Sequence, residues 1–180
     1  MNIIILFDRA CKRIQNQYRT YLFRKKCFIK HHDIKLVGAV TLINTNLKIG
    51  RGVVIYPDVV FWGDGEITIG NHVNIGPGTV FYASKEGGIK IGDYTNIAAQ
   101  SYIIDMDHGM KAGTLVYRQM NSVKPVSIGK DVWIAAGAKV LKGTTIEDGA
   151  VIGAGAVAKG YYHKNSISVG VPAKVIKYKE

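Results

Sequence analysis

The sequence predicts an all-β solenoid, a parallel β-helix of about five coils, with a short N-terminal helical segment and one long loop. Three observations predict it. From Val126 to Ala158 every sixth residue is apolar: Ile128, Ile134, Val140, Ile146, Ile152 and Ala158. Four residues after the first five of these sit small or β-branched side chains, Val132, Ala138, Thr144, Ala150 and Ala156. The same period returns upstream once the chain is written in coils of three hexads. A helix repeats its buried face about every 3.6 residues and a strand about every 2. A period of six suits very short strands joined by tight corners, each turn stacked on the last. The strands of a β-sandwich would alternate with period two, which this stretch does not.

Aligned by coil, the first inward column reads Ile49, Ile69, Ile91, Ile128, Ile146. The second reads Ile55, Ile75, Ile97, Ile134, Ile152, and the third Phe61, Phe81, Ile103, Val140, Ala158. Two columns made of isoleucine alone are hard to reach by chance. Gly50, Gly70, Gly92 and Gly129 follow the first inward residue of four coils. Their expected role is to adopt the backbone angles of a tight corner.

In chain order, residues 1–35 form a basic N-terminal segment. Ile3, Phe7, Cys11, Ile14, Tyr18 and Leu22 lie at spacings of three and four, one stripe of a helix. Nine Lys and Arg face two acids there, a balance of +7 within a formal net charge of +11. Two readings stand. The helix caps the open end of the β-helix, which otherwise exposes unpaired strand edges. Alternatively, or in addition, it lies on an anionic membrane face. The apolar run Ile3–Phe7 is far short of the ~20 residues that span a bilayer, and it lacks the pattern of a signal peptide. Nucleic acid is not expected as a partner, because the basic residues come without a recognition motif or aromatic interleaving. Cys11 and Cys27 lie outside the repeats and read as free thiols of a reducing compartment.

Residues 36–160 carry the coils, and the chain's 180 residues with 47% hydrophobic content suit one such domain. Corner excursions at Trp62–Ile67 and Ala83–Ile89 are short. A third, spanning 104–125, is far longer, and long loops on stiff scaffolds are where function concentrates. It opens Ile104-Asp105-Met106-Asp107-His108-Gly109. A histidine beside two carboxylates suits a general base, since imidazole titrates near neutrality and a carboxylate can fix its tautomer. Residues 161–180 leave the repeat as a C-terminal tail.

Four runs carry a family resemblance: Ile128-Gly129-Lys130-Asp131-Val132-Trp133-Ile134-Ala135-Ala136-Gly137-Ala138, Lys142-Gly143-Thr144-Thr145-Ile146, Val151 to Val157, and Gly170-Val171-Pro172-Ala173-Lys174-Val175-Ile176. With them the chain resembles the hexapeptide-repeat acyltransferases, most of all the maltose, galactoside and polysaccharide O-acetyltransferase branch. The resemblance spans roughly residues 47–177. It implies a left-handed β-helix, a cytoplasmic homotrimer with sites between neighbouring subunits, acetyl-CoA as co-substrate, and no metal. It implies His108 as the catalytic base. Asp105, three residues back, is expected to fold toward the ring and orient it, with Asp107 the other candidate for that task. The resemblance implies donor contacts from Trp133, Ala136, Ala154, Lys159, Lys174 and Lys177. Tyr82 and Asp107 are expected at the acceptor, with Trp62 and Ser84 nearby at the loop edge.

Gly76-Pro77-Gly78 stands where relatives acting on small saccharides carry an asparagine. The expected acceptor therefore shifts to a larger or lipid-linked carbohydrate, as in surface polysaccharide synthesis. N-acetylation of an amino sugar is the alternative. A zinc β-helix enzyme needs three imidazoles, and only His72 and His108 lie in the coils.

Overall fold

The computed structural model describes residues 3–180, with side chains described from Ile5 onward, Leu6 excepted. A helix, α1 (Ile3–Lys26), leads into stacked coils whose strands form three parallel sheets. The first coil comprises β1 (Ile34–Leu36), β2 (Val40–Ile43) and β3 (Asn46–Ile49). Each begins one face of a prism. The face of β1 holds seven parallel strands and a final antiparallel one, Lys174–Tyr178. The faces of β2 and β3 hold six each. There are thus about seven rungs, not five.

The expected columns are the observed ladders. Ile49, Ile69, Ile91, Ile128 and Ile146 stand in register on one face. Ile55, Ile75, Ile97, Ile134 and Ile152 stand in register on another. On the third, Phe61 stacks on Phe81 with ring centroids 5.0 Å apart, and Ile103, Val140 and Ala158 follow. The small residues two positions ahead, including Val132, Ala138, Thr144 and Ala150, are also buried. Each short strand therefore sends two side chains inward, and the interior is filled by like stacked on like. Two further rungs lie at the ends. Leu36 and Leu42 pair with Ile55 and Phe61. Tyr162 and Ser168 continue above Ile146 and Ile152, so residues 161–169, expected as tail, extend the ladders.

Gly50, Gly70, Gly92 and Gly129 do not use left-handed backbone angles. They are glycine because successive coils touch there. A Cβ on Gly92 would sit 2.5 Å from the carbonyl carbon of Gly129. The left-handed residues come two positions later, at Gly52, His72, Tyr94, Asp131, Gly149 and Asn165.

The helix caps the first coil, as one of its two readings expected. Thr20 Oγ1 accepts from the Leu36 N–H at 3.3 Å, and Asn16 Nδ2 donates to the Val37 carbonyl at 3.0 Å. Lys26 Nζ reaches the Leu42 carbonyl and a His31 ring nitrogen the Ile49 carbonyl. Each edge strand or its flank thus has a polar partner, two from the helix and the third from His31 just after it, which offsets part of the cost of unpaired backbone groups. Phe23 is buried beneath this contact. The stripe of Phe7, Ile14, Tyr18 and Leu22 is not; all four are exposed. Edge amides and carbonyls need polar partners, so the helix turns Asn16 and Thr20 inward and the stripe outward. The side chain of Ile3 lies outside the described residues. Cys11 and Cys27 are free thiols, and burial pushes the Cys27 thiol up to about 11.

Candidate functional site

The long loop is an ordered arm. Its root is a two-stranded antiparallel ribbon, Met106–Asp107 against Ser122–Val123. Asp107 pairs with Ser122, so His108 and Asn121 meet one position further out. His108 Nδ1 lies 2.9 Å from Asn121 Oδ1. An amide oxygen only accepts, so this contact favours the tautomer with its proton on Nδ1, which in the neutral ring leaves the lone pair on Nε2. His108 itself is exposed. Beyond it, Gln119 holds the arm together. It accepts from the Lys111 N–H at 2.7 Å and donates to the Lys111 and Thr114 carbonyls.

Asp105 does not orient His108. It is fully buried and accepts from the Ser84 N–H, the Ser84 hydroxyl at 2.8 Å and the Gly88 N–H at 2.6 Å. Its own carbonyl takes the Lys124 N–H at 2.9 Å. This carboxylate ties the excursion after Ala83 to the root of the arm. Asp107 does not touch the ring either. It forms an ion pair with Lys142 Nζ at 3.0 Å, on a lysine that is mostly buried. That pair fastens the arm to the coil above. Neither contact was legible in the sequence, and Asn121 was missed altogether.

Of the expected donor residues, most gather in one region. Trp133 is 53% exposed on the face of β1, between Asn96 and Val151. Three residues on, the chain turns a corner at Ala136, and Ala154 occupies the same corner one coil higher. The Gly155 N–H donates to the Ala136 carbonyl at 2.9 Å. Both alanines are exposed, so at this corner, the donor furrow of the proposal below, only backbone and methyl groups meet solvent. The final strand of the same face carries Lys174 and Lys177, opposite Val169 and Ile167. Lys177 is three strands from Trp133, roughly 14 Å at ordinary strand spacing, a span that suits an extended coenzyme with its phosphates at the basic end. Lys159 is not part of this region. It follows Ala158 at the next corner, above Leu141. Tyr82 sits at the arm's edge, packed edge-on against Trp62 with centroids 5.0 Å apart. Among the described residues no three His, Cys, Asp or Glu side chains form a group that could hold a metal ion. His72 instead stacks on Tyr94.

The arm and the furrow lie on different edges of one protomer. The furrow precedes the strands of the β2 face and the arm follows them. Along the arm Met110, Leu115, Tyr117 and Met120 are exposed.

A bacterial transferase hexapeptide (six repeats) family model matches residues 125–160. A probable acetyltransferase of Mycobacterium tuberculosis is 39% identical over 136 residues, 74% of this chain but 45% of that longer protein. A protein of Escherichia coli named, provisionally, as a colanic acid biosynthesis acetyltransferase is 30% identical, covering 87% of this chain and 76% of its own. A dTDP-4-amino-4,6-dideoxy-D-glucose acyltransferase of Escherichia coli is 34% identical over 72% of this chain and 80% of its own. Among solved structures, an N-acyltransferase from Bacillus cereus, in complex with dTDP and 3-hydroxybutyryl-CoA, superposes with a TM-score of 0.77. It covers 92% of this chain and 91% of that one at 24% identity, a likeness of fold.

Proposed function

The chain belongs to the hexapeptide-repeat acyltransferases, and from that premise we propose that it moves an acetyl group from acetyl-CoA to a sugar hydroxyl. The acceptor is a surface polysaccharide or its precursor. The observation that carries this is the arm, which presents His108 with its Nε2 lone pair outward and its Nδ1 held by Asn121. In the reaction His108 Nε2 takes the proton of the acceptor hydroxyl as that oxygen attacks the thioester carbonyl. The tetrahedral oxyanion is held by backbone N–H groups. Its collapse breaks the carbon–sulfur bond, and the imidazolium returns the proton to the leaving thiolate.

Trp133, Ala136, Ala154, Lys174 and Lys177 form the donor furrow in this proposal, with Tyr82 toward the acceptor. The working unit is a cytoplasmic homotrimer. Two features support it: the arm and the furrow of one protomer stand on different edges, and the arm's apolar side chains are uncovered. A lipid-linked acceptor would bring the enzyme to the inner face of the membrane.

N-acetylation of a nucleotide-linked amino sugar is the second reading, favoured by the 34% identity to the dTDP-amino-sugar acyltransferase. Thioester cleavage measured across oligosaccharides, simple sugars and amino sugars separates the two. The first reading expects hydroxyl acceptors to be preferred, and a clear preference for amines overturns it. His108→Ala should cut turnover roughly 10²–10⁴-fold with folding intact. Near-normal turnover in that variant removes the histidine from the mechanism.

A further inference from the structure

The apolar stripe of α1 faces away from the protein it is attached to. At about 100° per residue, Phe7, Ile14, Tyr18 and Leu22 fall within about 80° of arc. Asn16, Thr20 and Phe23, which dock on the first coil, lie diametrically across the helix. Phe7, Ile14 and Tyr18 are 71%, 66% and 61% exposed, and Phe28, just past the helix end, is 90% exposed. Isolated apolar residues at a surface are ordinary, but a continuous stripe along a helix is not.

The charges of the helix are predominantly positive. The helix carries Arg9, Lys12, Arg13, Arg19, Arg24, Lys25 and Lys26 against the single acid Asp8. That acid is already engaged with Lys12 at 2.8 Å. On one flank a groove of about 690 Å³ runs between helix and β1, lined by Arg13, Arg24, His32 and Lys35 and by no acidic residue. On the other flank, Arg19 and Lys26 border a smaller groove beside Leu22. A second copy of this helix would meet like charge with like.

We propose that α1 lies in the surface of an anionic phospholipid membrane, its stripe among the acyl chains and its flanking cations on the headgroup phosphates. The polar face of α1 holds the β-helix, so docking the prism and meeting the lipid use opposite sides of one element. No helix among the described residues is long and apolar enough to cross a membrane, and this helix lies along the surface instead. The inference rests on the proposed membrane-linked acceptor only for its purpose; the surface itself is read from α1.

The test is sedimentation of the full chain with vesicles. An equimolar phosphatidylglycerol–phosphatidylcholine mixture should pellet the protein at low salt, phosphatidylcholine alone should not, and added salt should release it. Ile14→Asp should weaken pelleting about tenfold, and Lys12→Glu with Arg13→Glu should weaken it as well. Acetyl-CoA cleavage with a soluble acceptor should be unchanged in all these variants. Equal pelleting with neutral vesicles, or none with either, overturns the proposal. So does a change in the mass of the assembly with Ile14→Asp, which would assign the stripe to a protein contact. Vesicle binding without acetyl transfer would sink the functional reading alone, and transfer without vesicle binding would sink this one alone.

Discussion

His108 can serve as a base only through a nitrogen that carries a lone pair, and the contact to Asn121 decides which one that is. Asn121→Ala frees the ring to turn. Misplacement of this order costs roughly 10²-fold in turnover, and the Michaelis constant for acetyl-CoA should change little. Asn121→Asp keeps an acceptor in place but adds a negative charge, which favours imidazolium over the neutral ring. The base works when neutral, so the acid limb of the kcat/KM profile should move to higher pH. A profile unchanged in both variants would mean that Asn121 has no hold on the ring. The sequence offered Asp105 for this task because it lies three residues back. Three residues meet on a helix, but extended backbone sends alternate residues to opposite sides, and Asp105 goes into the core. Asn121, thirteen residues away, reaches His108 only through the register of a ribbon whose strands are joined by fourteen residues. The place of His108 on the long loop was legible, and its contact with Asn121 was not.

At the scale of the strands and corners, legibility followed side-chain size. Where isoleucine fills the ladder, the columns read directly from the sequence. The last rung was hidden because buried Ser166 and Ser168 replace the apolar pair. The first was hidden because Leu36 and Leu42 sit in a coil with irregular corners. The corner glycines were found for the wrong reason, and the right one makes a sharper prediction. Gly92→Ala drives a Cβ into the backbone of Gly129, with no flexible side chain to yield. It should lower stability by about 1–3 kcal/mol in urea denaturation, and a loss below about 0.5 kcal/mol would show that the coils can part there. The same corner carries a ladder of side-chain caps. Asn71 Oδ1 accepts from the Arg51 N–H, Asp93 Oδ1 from the Asn71 N–H, and Asp148 Oδ1 from the Lys130 N–H, all within 2.9 Å. The backbone bond from Asn71, helped by Lys130, holds the Asp93 carboxyl below its usual range. A lowered folded-state pKa contributes stability that is present above the unfolded value and lost as pH falls through the folded one. The Tm should therefore drop as pH falls below about 4, and Asp93→Asn should flatten that dependence. A slope identical in the two proteins would exclude Asp93 as its source.

Across the whole molecule, the proposed reaction draws on two edges, the donor corner at one and the arm at the other. The strands of the β2 face separate the furrow at Ala136 and Ala154 from the arm that bears His108. From Ala136 across the strand Lys139–Val140 to the far corner is about 10 Å or more of chain, which keeps a thioester at the near corner from its own chain's imidazole unless the arm folds back across the face. The arm is instead stiffened, by Gln119 within it, by Asp105 at its root and by Lys142 above it. A rigid arm with uncovered apolar side chains fits a cyclic assembly in which each chain lends its histidine to the next. Co-expression tests this directly. His108→Ala lacks the base but keeps a furrow, and Ala154→Trp at an exposed corner blocks the furrow but keeps the base. Each variant expressed alone should be inactive. In randomly mixed trimers, about a quarter of the shared sites pair an intact furrow with an intact histidine from the neighbour, so about that share of wild-type turnover should return. If each chain completes its own site, mixing restores nothing, because every chain carries one defect.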